Sequence, residues 1–309
     1  MHVSEAELSG DDAISSERTP CLICGGTNFR SRFPSIAEPV DQEASSEPYR
    51  ITHSERKFVG AIVRCVDCGM VILPLDFVPS GSYTDAADPY YLEQEAERLA
   101  NAHALLEHVP PGGKLLEIGC AAGFLLRAAR DRGFDALGVE MSEWASGVAR
   151  DQYGLDVRTG KLEDIGLADD TFDVVVLADV IEHLTDPRRT LREIGRVLKP
   201  GGRLLLLTPD AGSVVARIAG ARWWGLLDDH YFYFSRDNLK RFLEGEGFEV
   251  VTITAHGRKF PLAHWLSKVD QYSPSVHRAI AGVVGALGIG ELQVPVNLGD
   301  MMACVALKK

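Results

Sequence analysis

The stretch Lys114–Gly123 (KLLEIGCAAG) restricts what this 309-residue chain can fold into more than any other part of it. Lys114 to Ile118 reads as a buried strand of a parallel sheet, where strands show short apolar runs rather than alternation. The run leads straight into Gly119, Ala121, Ala122 and Gly123, which carry almost no side chain, so a ligand can lie against the backbone. A helix is expected from about Phe124 to Arg132, and its first free N–H groups favour a polar or anionic ligand group. A second run, Asp135–Glu140 (DALGVE), ends in an acid 21 residues after Gly119. In nucleotide-binding α/β folds an acid about 20 residues beyond the glycine turn accepts from the ribose hydroxyls. The glycine turn alone would fit any strand-to-helix connection, and Ala121 stands where the second glycine of GxGxxG would be. The turn and the acid together point to a bound nucleoside-like ligand.

The rest of this half carries GKLEDIGLADDTFDVVVLADVIEHLTDP and then LREIGRVLKPGGRLLLLTP. With these segments, in order from Leu115 to Pro209, the chain resembles the class I S-adenosylmethionine (SAM)-dependent methyltransferases. The segment DDHYFYFSRDNLKRFLEGEGFEVV is similar to one bacterial branch of that family, whose members carry a zinc ribbon ahead of the methyltransferase domain. The resemblance implies a Rossmann-like, doubly wound α/β sheet of seven strands, the last inserted antiparallel beside the sixth. It also implies SAM as cofactor, held by Glu117, Gly119, Cys120, Ala121 and Gly123 around the turn. Glu140 and Met141, Leu162 and Asp164, and Ala178 and Asp179 complete that set. Asp164 is the match for the acid that accepts from the adenine amine; the other reading makes Glu163 and Asp164 solvated loop acids.

A length of 309 residues suits about two domains. The first 19 residues are acidic, Ser-rich and free of aromatics, and read as a disordered tail. They have neither a basic region nor an apolar core, so no signal peptide is read, and the apolar stretch Ala279–Gly290 is too short to cross a bilayer. The expected location is cytoplasmic. The formal net charge of −12 argues against nucleic acid as a partner, because phosphates call for Lys and Arg clusters.

Cys21 and Cys24, and Cys65 and Cys68, form two CxxCG pairs. Two such knuckles place four thiolates around one zinc ion, a closed structural site with no position for chemistry. Two disulfides or a redox pair are the other readings; disulfides suit a cytosolic chain poorly, and a redox pair needs no second copy. The expected ribbon spans residues 20–75, with a polar loop at Ala37–Glu47 and a strand over Phe58–Arg64. A linker follows at 76–89, and the methyltransferase domain occupies 90–309.

Within that domain the spacing predicts a helix over Tyr90–Val109, stopped by Pro110, Pro111, Gly112 and Gly113, with His103 and His108 on its face. Ser142 is expected to cap a helix to about Tyr153. Strands are expected at Asp156–Thr159, Phe172–Ala178, Arg203–Thr208, Phe248–Thr254 and Met301–Leu307, and helices from Pro187 to Leu198 and from Asp237 to Gly245. Residues 256–300 interrupt the last strand pair, with Trp265, Tyr272 and an apolar helix over Val276–Leu287. The segment is either a helical cover for a sheet edge or a lid that shapes the acceptor pocket, for instance for a lipid-linked substrate met at a membrane surface.

Transfer of a methyl from a sulfonium needs alignment and, for a hydroxyl acceptor, removal of a proton. Two clusters supply groups for this, Asp179–Glu182–His183 and Asp228–Asp229–His230, with Asp179, His183 and His230 as the catalytic candidates. Each histidine has a structural reading as well. The expected acceptor is a small molecule, a sugar or a glycan precursor. An NAD-dependent oxidoreductase and a non-catalytic SAM-fold interaction module are the alternatives.

Overall fold

The computed structural model describes residues 13–15, 20–33, 61–74, 83–227, 229–270 and 273–309. Most of the tail, the loop 37–47, residues 58–60, residues 76–82, Asp228 and Tyr272 lie outside the described residues.

The N-terminal part holds β1 (Ala13–Ser15), β2 (Asn28–Phe33), β3 (Ile62–Cys65) and β4 (Val71–Ile72) in one antiparallel sheet. Residues 13–15 of the expected disordered tail thus form an edge strand, paired with Asn28–Arg30. The chain then makes a single 3-10 turn at Tyr83–Asp85, inside the expected linker, before α1 (Pro89–Glu93) and α2 (Glu95–Leu106). The sequence suggested one helix here. Asp88 accepts from Tyr91 N and caps α1 one residue early, and Gln94 at φ −96°, ψ 21° breaks the run.

The alternation continues with β5 (Gly113–Ile118), α3 (Phe124–Asp131), β6 (Phe134–Glu140), α4 (Glu143–Asp151), β7 (Asp156–Thr159) and α5 (Leu162–Ile165). Next come β8 (Phe172–Ala178), α6 (Pro187–Val197), β9 (Leu198–Pro209), α7 (Val214–Ala219), β10 (Phe232–Tyr233), α8 (Arg236–Gly245) and β11 (Phe248–Ala255). Local chemistry sets the ends: Ser142 Oγ accepts from Ala145 N at the start of α4, and Asp186 with Pro187 opens α6. The seven-stranded sheet runs β11-β14-β9-β8-β5-β6-β7, where β14 is Met301–Lys308. All neighbours pair in parallel except β14, which is antiparallel to both β9 and β11. The direction of winding reverses between β5 and β8, and open sheets of this kind bind ligands beyond the carboxyl ends of such strands.

The insertion differs from the purely helical one expected. It is a hairpin of β12 (Arg258–Pro261) and β13 (Gln293–Val296) that encloses α9 (Leu262–Asp270) and α10 (Pro274–Leu287).

A larger difference concerns the ribbon, which is not a separate body. β10 pairs antiparallel with β4, Phe232 opposite Ile72, so a strand of the methyltransferase half completes the ribbon sheet. Leu73 N donates to Tyr231 O at 3.0 Å. Phe29, Ile62, Met70, Ile72 and Leu73 are buried in the same apolar cluster as Phe232, Phe234, Phe242 and Leu239. The reason is area: a sheet this small cannot bury its apolar face on itself and finishes its core against the neighbouring aromatics.

Candidate active site

The carboxyl ends of β5, β6 and β8 open into a cavity of about 1540 Å³. A pocket for one small molecule is typically about 300–1,000 Å³, so this one has room for two. Ile118, Gly119, Ala121, Glu140, Met141, Leu162 and Ala178 line one end. Gly119 has φ +70°, and a Cβ built there would lie 2.6 Å from Val180 Cγ2. A side chain at Gly119 therefore collides with the protein before it reaches the ligand space. Glu140 at the tip of β6 is clamped by two main-chain donors: Oε2 accepts from Ala121 N and Oε1 from Ser142 N, each at 2.8 Å. The clamp fixes the carboxylate at the cavity wall while each oxygen keeps a lone pair. Burial raises its pKa against the pull of those donors.

The other expected contacts divide. Cys120, Glu117, Gly123 and Asp164 are not on the cavity wall, although Glu163 is. Cys120 is buried with its thiol against Gly138, where a Cβ would come within 2.6 Å of the sulfur. Gly123 is the N-cap of α3. Glu117 is buried with Oε2 unpartnered among the described residues, and burial, then the Glu140 charge, push its pKa well up. Glu163 accepts from Thr190 Oγ1 at 2.6 Å.

The far end is lined by Asp179, Glu182, His183, Asp229, His230, Trp223, Trp224 and residues of the insertion. Asp179 follows β8 with φ +56°, a conformation that costs a non-glycine residue energy and gathers at functional sites. Arg258 Nη2 donates to both of its oxygens, at 2.6 and 2.5 Å. Glu182, His183 and His230 each bring one carboxylate or imidazole atom within 4.8 Å of the others. Thr208 Oγ1 donates to Glu182 Oε2 at 3.0 Å, while Oε1 is buried without a partner among the described residues. Burial and the Asp179 charge push Glu182 up to about 8.

Both histidines have a defined tautomer, because carbonyl oxygens only accept. His183 Nδ1–H donates to Asp229 O and His230 Nδ1–H to Gly225 O, each at 2.9 Å. Nε2 of each ring therefore carries the lone pair. The rings meet edge to face with centroids 4.5 Å apart. Burial, then the neighbouring His183, push His230 down to about 3. Between that value and the ordinary 6.5 the unfolded chain binds a proton that the folded chain refuses, so this group costs stability as pH falls. Replacing it, as in His230→Gln, should flatten the stability slope by about 1.4 kcal/mol per pH unit between about pH 4 and 6. Urea denaturation across that range measures it, and an unchanged slope would show that His230 titrates normally.

The four ribbon cysteines come together as expected. Cys21 and Cys68 sulfurs are 3.3 Å apart, Cys24 and Cys65 3.5 Å, and all four lie within 4.8 Å of one another. All six cysteines of the chain are free thiols. Gly25 at φ +70° and Gly69 at φ +76° turn the two knuckles, each N–H returning to Cys21 O or Cys65 O. Tetrahedral zinc, with Zn–S of about 2.3 Å, sets sulfurs about 3.8 Å apart, and the four thiols fit it.

Reading the sequence missed Tyr83 and Arg258. Tyr83 Oη lies 2.8 Å from His183 Nδ1, and Arg258 holds Asp179. One lies in the expected linker and the other in the insertion, far from the motifs, with no local pattern to mark either.

Residues 91–253, more than half of the chain, match the profile of the methyltransferase-domain family. The chain belongs to that family. It is 36% identical over 119 residues to a ubiquinone biosynthesis O-methyltransferase of Cereibacter sphaeroides, covering 36% of this chain and 48% of that protein. It is 34% identical over 146 residues to a probable S-adenosylmethionine-dependent methyltransferase of Mycolicibacterium smegmatis, covering 47% of this chain and 55% of the relative. The chain thus spans about half the length of these relatives. The fold is similar to the putative methyltransferase solved with its Haloferax volcanii Trm112 activator, at TM-score 0.50 and 20% identity, over 70% of this chain and 92% of that one. Membership of this family sets aside the oxidoreductase alternative.

Proposed function

We propose that the enzyme methylates a hydroxyl of a small-molecule acceptor, a ring compound such as a sugar, a glycan precursor or an aromatic. The observation that carries this is the division of one cavity into two ends, a clamped carboxylate at Glu140 and an imidazole lone pair at His183. When bound, SAM supplies a methyl on a positive sulfur, ready for in-line displacement. Glu140 would hold the ribose hydroxyls, with Gly119, Ala121, Met141, Leu162 and Ala178 along the nucleoside. Ordering both partners in one cavity would supply much of the rate. His183 Nε2 would take the hydroxyl proton as the oxygen gains the methyl, with Asp229 beside its other nitrogen. His230, held neutral, would position the acceptor. Trp223, Trp224 and Trp265 offer stacking faces. Ile218 and Leu298 reach from the cavity to the surface, 82% and 57% exposed, which suits an acceptor with an apolar or lipid-linked tail. The four cysteines would hold one structural zinc.

Two measurements test the reading. Incubation with SAM bearing a CD₃ group and a metabolite extract should label one acceptor class, and its fragmentation should place the label on oxygen. Label on carbon or nitrogen would overturn the hydroxyl assignment. Separately, Glu140→Ala should weaken SAM binding by about 1.5–3 kcal/mol, the range for a hydrogen bond to a charged group. Calorimetry reads this directly, and unchanged affinity in a folded variant would remove Glu140 from the cofactor site.

A further inference from the structure

We propose that Tyr83 is a positioning residue of the acceptor-side base and connects the Asp229 carboxylate to His183. The inference rests on the reading above, in which His183 accepts the acceptor proton. Tyr83 lies outside the matched methyltransferase segment, in the short turn ahead of α1.

The donors and acceptors support the following assignment. His183 Nδ1 donates to Asp229 O, so it bears hydrogen. Tyr83 Oη, 2.8 Å from that nitrogen, is therefore an acceptor toward it. The phenol O–H donates to Asp229 Oδ2, 3.3 Å away. Asp229 Oδ2 itself stands 3.4 Å from Nδ1, beyond the range of a good N–H···O bond. The phenol bridges the two groups, its oxygen 2.8 Å from Nδ1 and 3.3 Å from the carboxylate. A base that becomes positive when it takes a proton gains from this relay, as the histidine of a Ser-His-Asp triad gains from its aspartate. Among the described residues, the charged or titratable groups near His183 include Glu182 and Asp179 on its own segment, Arg258 bound to Asp179, and His230 against its face.

The turn that delivers Tyr83 is also tied to the cofactor end. Ser142 Oγ, two residues past Glu140, donates to Ala86 O at 2.7 Å. Tyr83 Oη and the wall around Glu140 are thereby fixed by one short segment, residues 83–86, that crosses between the two ends.

NMR titration of His183 in the SAM-bound enzyme tests the relay without an acceptor. In Tyr83→Phe and in Asp229→Asn the pKa of His183 should fall, by about one unit for loss of the charge. The double variant should fall no further than Asp229→Asn alone, since the phenol acts through the carboxylate. SAM affinity and melting temperature should stay near wild type in Tyr83→Phe. An unchanged His183 pKa in Tyr83→Phe, or additive shifts in the double variant, would overturn the relay. So would a Tyr83→Phe protein that loses SAM affinity and stability with no pKa change, the signature of packing alone. His183→Ala is the separate control: full turnover in that variant would sink the base reading and leave the relay to be judged on the titration.

Discussion

Cys65→Ser is expected to unfold the ribbon and the aromatic segment after His230 together, and to abolish methyl transfer. Two independent closed cores would have left the methyltransferase half intact. The shared cluster alters this. Phe29, Ile62, Met70, Ile72 and Leu73 pack with Phe232 and Phe234, and each such side chain contributes about 1.5–3 kcal/mol by leaving water. Binding of a structural zinc is worth about 10–16 kcal/mol in small metal-folded peptides, as large as the roughly 5–15 kcal/mol that holds a typical domain together. Loss of a thiolate removes most of that. The edge of β10 then loses its partner β4, and Tyr231, whose N–H donates to Glu182 O, loses the bond from Leu73 N. Damage at the knuckle therefore reaches the residue next to His183 through two hydrogen bonds. Wild-type protein should carry one zinc by elemental analysis and melt in one calorimetric transition. Hydrogen exchange in the variant should rise at residues 231–234 as well as at 62–73. A variant with a native melting profile for the methyltransferase half would show the ribbon to be dispensable.

His183→Ala should lower turnover by about 10²–10⁴, the span of general acid–base catalysis, with SAM affinity near wild type. The separation of effects follows from position. Glu140 is clamped by Ala121 and Ser142 at the cofactor end, whereas the His183 ring is fixed by Asp229 and Tyr83 on the acceptor side. His230→Ala should act differently. It removes a buried ring bonded to Gly225 O, so a lower melting temperature should accompany its loss of rate. Single-turnover transfer with the acceptor found by CD₃ labelling separates the two. Wild-type rates in His183→Ala would leave proximity, or Glu182 and Asp179, as the means of handling the proton.

Much of the fold was legible because local patterns and the sheet agree. FDVVVLA at Phe172–Ala178 has no polar interruption beyond Asp173 and is read as a strand from composition alone, and the structure gives those same bounds. Ser142, Asp186 with Pro187, and Ser235 mark helix starts through their own hydrogen bonds, which depend on nothing remote. The turn at Gly119, the acid at Glu140 and the four ribbon cysteines were equally legible, since spacing along the chain brings each set together once the strands form.

Only the tertiary structure decided which faces of those elements meet. The resemblance placed Cys120 and Asp164 beside the cofactor; the turn after β5 packs the Cys120 thiol onto Gly138, and Glu163, not Asp164, stands on the cavity wall. The sequence offered His183 and His230 as candidates but not their surroundings: burial drives His230 to about 3, while Asp229 and Tyr83 gather at His183. Tyr83 and Arg258 act across separations of 100 and 79 residues, with no periodicity to join either to its partner. The ribbon's two CxxCG pairs announce a metal site, but not that its sheet borrows β10. Spacing specifies contacts made within one turn, strand or knuckle; shared cores and cross-cavity hydrogen bonds depend on surfaces that exist only after the chain has closed.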